Sequence, residues 1–193
     1  MNFRLPVLLL ALAVAACGVE KPQFNSTDIT GADYGKSLKL PDFTGKVRTL
    51  ADFKGDVVVV FFGYTQCPDV CPTTLAEMKA VKAKLGEQGK RLQVIFVTVD
   101  PERDTPELLA NYVRAFDPTF LGLRGSPEAT AEVAKDFKVF YQKVPGKTPD
   151  SYSVDHSAGS YVFDPQGRLR LFVRYGQTAD KIAADIKTLL TQG

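Results

Sequence analysis

Tryptophan is absent from this 193-residue sequence, histidine occurs once and cysteine three times. Any metal or thiol chemistry must be built from that small set. A structural zinc site, which takes four ligands, would need a carboxylate or water to complete it. An excess of charge of one sign is also lacking. Twenty-four Lys and Arg oppose 22 Asp and Glu, for a net charge of +2, so the chain has no surplus of basic residues to build a nucleic-acid-binding face. There is no internal repeat, heptad run or low-complexity tract, and no apolar run reaches the roughly 20 residues that a membrane-spanning helix needs. What is present, 45% hydrophobic and 24% charged residues, is the composition of one compact domain.

The first sixteen residues, "MNFRLPVLLLALAVAA", stand apart from that domain. One basic residue, Arg4, precedes an apolar run over residues 5–16. A short apolar run ending in small residues reads as a secretory signal. It leads into "VAAC", with Ala15 and Ala16 before Cys17 and Gly18 after it, and this resembles a bacterial lipoprotein lipobox. The resemblance implies cleavage before Cys17 and lipid on its sulfur. That predicts an exported protein anchored in a bacterial membrane, with its domain in the periplasm or another extracytoplasmic space. Residues 17–35 then read as the lipidated cysteine and a polar tether, and residues 36–193 as the folded domain. Acylation of Cys17 leaves Cys67 and Cys71 as a pair, in a compartment where a disulfide can form.

Two runs, "VVVVFFGY" and "LQVIFVTVD", read as strands buried on both faces. Between them "TTLAEMKAVKAKL" carries Leu75, Met78, Val81 and Leu85 at helical spacing, with Gly86 as a stop. "DTPELLANYVRAF" starts a helix from a cap at Asp104 or Thr105 followed by Pro106, and Ser126 with Pro127 repeats the pattern. "GSYVFD" and "LRLFVRYG" flank the turn "PQG" as a hairpin, and "TADKIAADIKTLL" closes the chain as an amphipathic helix. Residues 37–55 predict a small additional hairpin before the core. The order is α/β, with a central mixed sheet flanked by helices, and suits a thioredoxin-like fold.

Cys67 and Cys71 sit in "GYTQCPDVCPTTLAEM", between the first core strand and the first helix. A proline is tolerated in the first turn of a helix and nowhere deeper. Pro72 therefore places the helix start beside Cys71, and the exposed N–H groups there are expected to favour thiolate. A simple structural staple gains little entropy from so short a loop. Ordinary thioredoxin-type exchange is a poor match: thioredoxins use two intervening residues and usually a Trp before the first Cys. They also set a cis-proline opposite the thiols. The corresponding stretch here, "YSVDHSAGSYVFD", has no proline but holds His156, the single histidine. Two thiolates and an imidazole suit Cu(I), and can also serve Cu(II) or zinc. Asp69 and Asp155 flank these residues, as a turn residue and a loop cap or as groups that hydrogen-bond and tune the ligands.

Three blocks, "FFGYTQCPDVCPTTLAEM", "VTVDPERDTPELLANYVRAF" and "YSVDHSAGSYVFDPQGRL", resemble the Sco/SenC family of copper-binding cytochrome c oxidase assembly factors. The resemblance covers residues 36–190. It implies a copper site built from Cys67, Cys71 and His156, and a metallochaperone that delivers copper to the binuclear centre on an oxidase subunit. It also implies partnership with that copper-receiving subunit, and allows for a second copper chaperone or a thiol–disulfide reductase as further partners. Two other functions stay open. One is a thiol–disulfide oxidoreductase that uses Cys67 and Cys71 to reduce the subunit's cysteines. The other is a thiol peroxidase, although Thr65 lies two rather than three positions before Cys67.

Overall fold

The computed structural model of the protein describes residues 22–148 and 151–192. The leader and Cys17 lie outside them. The chain begins with strands β1 (Thr27–Asp28), β2 (Lys39–Pro41) and β3 (Val47–Thr49). It continues through β4 (Val57–Gly63), α1 (Val70–Leu85), β5 (Leu92–Thr98), α2 (Pro106–Phe116), β6 (Leu121–Leu123) and α3 (Pro127–Asp136). It ends with β7 (Tyr141–Pro145), β8 (Tyr152–His156), β9 (Ser160–Phe163), β10 (Leu169–Val173) and α4 (Ala179–Thr191).

Every residue of β4 is buried. A strand with nothing polar to show to solvent must be covered on both faces. Val57, Val59 and Phe61 pack towards α1, α2 and α4, while Val58, Val60 and Phe62 pack towards α3 and Leu40 of the β2–β3 hairpin. The sheet runs β1-β10-β9-β4-β5-β6. Its β4–β5 and β5–β6 pairs are parallel, and its β4–β9, β9–β10 and β10–β1 pairs antiparallel. This is the expected thioredoxin-like architecture with its extra N-terminal hairpin. It puts the β4–α1 loop and the approach to β9 at one end of the sheet.

Two helix starts match their reading. Thr105 accepts from the Leu108 N–H and Ser126 from the Ala129 N–H, each at 3.2 Å, with a proline at the first helical position. Asp104 is not a cap; it is fully buried elsewhere.

The folded part begins earlier than position 36, which corrects the tether reading for residues 25–35. β1 pairs with β10, Thr27 opposite Phe172. The buried Asp185 of α4 accepts the Asn25 and Ser26 N–H groups at 2.8 Å and the Ser26 hydroxyl at 2.6 Å. Tyr34 meets Tyr161 edge to face at 6.4 Å. Small polar residues that look like linker are here the donors to a buried carboxylate. Asp185→Asn should cost about 1–2 kcal/mol, because its amide turns a donor towards donors. Urea unfolding and faster proteolysis of residues 22–35 would show it, whereas unchanged stability would mean that the carboxylate holds nothing.

A second feature is the β7–β8 ribbon, to which the sequence reading assigns no strands. It forms its own two-stranded sheet, with Tyr141 opposite His156. Among the described residues no helix is long and apolar enough to cross a membrane.

Candidate metal centre

The helix that follows β4 starts two residues before Pro72. Asp69 is the N-cap, Val70 the first helical residue, Cys71 the second and Pro72 the third. Cys71 therefore lies in the first turn of α1 and faces inward; it is fully buried against β4 and α2. Cys67 stays in the loop, half-buried, its N–H donating to the Tyr64 carbonyl at 3.2 Å. Both thiols are free.

His156 is the last residue of β8. Its Nδ1 lies 3.0 Å from the Ser157 carbonyl. Donation of Nδ1–H to that oxygen leaves the Nε2 lone pair facing outward from the ring, and Nε2 lies 3.4 Å from Cys71 Sγ. The Tyr64 and Phe61 rings stand edge to face with the imidazole, with centroids at 5.9 and 6.0 Å. The ligand atoms of Cys67, Cys71 and His156 all lie within 4.8 Å of one another. Three donors about 2.0–2.3 Å from a common ion would be separated by roughly 4 Å, so little movement is needed to close around one.

Electrostatics at Cys71 run against the helix-end expectation. Burial pushes its thiol well above the usual range, outweighing the Tyr64 backbone N–H, which favours thiolate. Cys67 and Asp104 nearby raise it further. In the metal-free protein the helix N-terminus therefore does not make Cys71 a thiolate, because desolvation of a fully enclosed sulfur is the larger effect. Burial also lowers the His156 pKa, keeping the imidazole neutral and its lone pair free at neutral pH.

Of the flanking acids, Asp69 is exposed and accepts from the Thr73 hydroxyl and the Tyr175 phenol, both at 3.4 Å. Asp155 is exposed on β8 opposite Gln142. The hydrogen-bond partner of His156 Nδ1 is the Ser157 carbonyl; Asp155 acts on the ring through its charge alone. Both acids border the shallow cleft over the site, with Pro68 and Val70.

Three residues at the site were missed. Gly63, at the end of β4, leaves the space that Cys71 Sγ fills: a Cβ there would lie 2.5 Å from the sulfur. Asp104 accepts from the Thr65 hydroxyl at 2.6 Å, two residues before Cys67. Arg103 reaches Gln66 and the Tyr152 carbonyl. The available signal was "DPERDTPE" itself, where one helix start needs only one capping residue. The Thr65 hydroxyl, whose spacing already fits the peroxidase reading poorly, donates to Asp104.

The SCO1/SenC family model matches residues 26–191. The chain belongs to the SCO1/SenC family. A mitochondrial SCO2 homolog from Bos taurus is 39% identical over 152 residues, which is 78% of this chain but 57% of that protein, so this family member spans little more than half of its relative's length. The solution structure of apo Sco1 from Thermus thermophilus is 44% identical and covers 86% of this chain and 97% of that one, with a TM-score of 0.77. The structure of Bradyrhizobium japonicum ScoI with copper bound is 41% identical and covers 79% and 96%, with a TM-score of 0.72.

Proposed function

We propose that this SCO1/SenC family member is a copper carrier in cytochrome c oxidase assembly, and that Cys67, Cys71 and His156 hold the ion. The observation that carries this reading is the approach of two thiols and the single imidazole to within 4.8 Å. Soft sulfur donors with imidazole select Cu(I) over the harder divalent ions, and the same set accepts Cu(II). The copper-bound ScoI from Bradyrhizobium japonicum supports the choice of metal. Copper is cargo: it enters as the thiol protons leave, and three protein ligands leave room for an incoming ligand from the acceptor. That acceptor is the copper-receiving subunit of the oxidase, with delivery to its binuclear centre. A second copper chaperone or a thiol–disulfide reductase would supply the ion or keep the pair reduced. Lipid on Cys17 would hold the domain at the extracytoplasmic face of a bacterial membrane.

Anaerobic Cu(I) titration of the reduced full-length protein, with a chromogenic chelator as competitor, tests this. One copper per chain is expected, and none once Cys67 and Cys71 are oxidised. Failure of the reduced protein to bind copper would overturn the reading. A second reading, reduction of the subunit's cysteines, is favoured by one observation: both thiols are free and Cys67 is partly open to solvent. It predicts turnover of a partner disulfide that survives loss of His156.

A further inference from the structure

The carboxyl end of β5 and the start of α2 are joined by a turn, Asp100 to Asp104, that touches no ligand yet reaches both halves of the metal centre. Asp104 is fully buried and accepts the Thr65 hydroxyl at 2.6 Å, the Thr65 N–H at 3.1 Å and the Thr98 hydroxyl at 2.6 Å. It thereby grips the chain two residues before Cys67. Asp100, also buried, accepts the Tyr152 phenol at 2.8 Å and pairs with Arg103 Nε. Arg103 Nη1 then donates to Gln66 Oε1 at 3.1 Å and to the Tyr152 carbonyl at 2.8 Å. Gln66 adjoins Cys67, and Tyr152 opens the strand that ends in His156. The guanidinium lies 3.6 Å over the Tyr152 ring and 5.6 Å from the centre of Tyr64, whose ring stands against His156. Arg103 Nη2 is buried with no hydrogen-bond partner among the described residues, so it is the stacked plane and the fork, more than a full set of hydrogen bonds, that hold the group in place.

This connection matters because His156 is not on the central sheet. Among the described residues β8 pairs with β7 alone, and that ribbon is a separate sheet. Its first strand is largely exposed. A histidine on such an arm needs a tie to the body if it is to wait at ligating distance from two cysteines on another element. We propose that Arg103, backed by Asp100 and Asp104, is a positioning residue that locks the β7–β8 ribbon to the Cys67 loop and so sets the separation between His156 and the thiols before copper arrives. The consequence for affinity rests on the copper reading above. The tie itself is a property of the metal-free protein. A planar fork that bonds two carbonyl-type acceptors and a carboxylate while stacking on an aromatic ring is a role for arginine and not for lysine.

The test uses full-length Arg103→Lys, Arg103→Met and Tyr152→Phe, each checked for native circular dichroism. Cu(I) affinity should fall about tenfold or more for both Arg103 variants, the range found when groups that orient metal ligands are lost, with a smaller fall for Tyr152→Phe. In a His156→Ala background, Arg103→Met should add less than about twofold, since a group that acts through His156 has nothing left to position. In the apo protein, nuclear Overhauser contacts between the single histidine ring and Tyr64 should weaken in the Arg103 variants. The proposal is overturned if Arg103→Lys keeps wild-type affinity and ring contacts, or if the Arg103→Met loss is equal in both backgrounds, which marks a general structural role. If Arg103→Met does not fold, Arg103→Lys and Tyr152→Phe decide. Wild-type protein that binds no copper defeats the function reading, whereas the ring contacts still judge the tie.

Discussion

His156→Ala is expected to lower Cu(I) affinity by well over tenfold while leaving Cys67 and Cys71 able to form a disulfide. Loss even of a residue that only orients a ligand costs about 10–100-fold, and His156 presents the donor atom itself. No other histidine can substitute, because the chain has only one. The neighbouring acids cannot replace it well, since carboxylate is a hard donor where the two sulfurs call for a soft ion. Chelator competition gives the affinity, and mass spectrometry after mild oxidation gives the disulfide as the loss of two hydrogens. Wild-type affinity should also rise with pH. Burial holds the Cys71 thiol well above its usual range, so at neutral pH binding must expel a proton, and each rise in pH makes that easier. His156, with its pKa pushed down by burial, is already neutral there and adds no such slope. A variant that bound copper as tightly as wild type would move the function to thiol exchange.

Gly63→Ala should destabilise the apo protein by about 3 kcal/mol, at the upper end for overpacking a close-packed core. The added Cβ would lie 2.5 Å from Cys71 Sγ, 3.0 Å from Phe96 Cε2 and 3.1 Å from Phe61 Cε1. Cys71, Phe61 and Phe96 are all fully buried, so each can yield only by pushing on its own neighbours. β4 is meanwhile clamped by β5 and β9 on its two edges. The sulfur is the most easily displaced of the three, so the variant should also bind copper more weakly. A urea midpoint unchanged within the error of the measurement would show that the strand end can open at no cost.

The strands β4 and β5 were legible because an apolar run bounded by turn residues allows few other readings, and α2 and α3 because a Thr or Ser followed by proline is a start signal written in two residues. The meeting of Cys67, Cys71 and His156 was legible for a topological reason: the β4–α1 loop and the approach to β9 share one end of a sheet in which β4 and β9 are neighbours. Three features were not. β1 is two residues long, too short to carry a period, and its attachment depends on Asp185, about 160 positions away. β7 is exposed along most of its length and shows no alternation to read, and β8, where Tyr152, Val154 and His156 alternate with exposed Ser153 and Asp155, is only five residues long. Asp104 next to a helix-starting Thr-Pro reads as a cap, and only its burial against Thr65 and Thr98 shows otherwise. The thiolate expectation failed for a related reason. Sequence locates Cys71 near a helix end, but not on the side of the first turn that faces the core, where desolvation outweighs the dipole.

The unequal burial of the two sulfurs gives traffic through the site an order. Cys71 is enclosed and Cys67 is partly open. An alkylating reagent is therefore expected to modify Cys67 well before the enclosed Cys71. On the proposed copper-carrier reading, ligand exchange is expected to run in sequence, beginning and ending at Cys67, with Cys71 the last sulfur to be released.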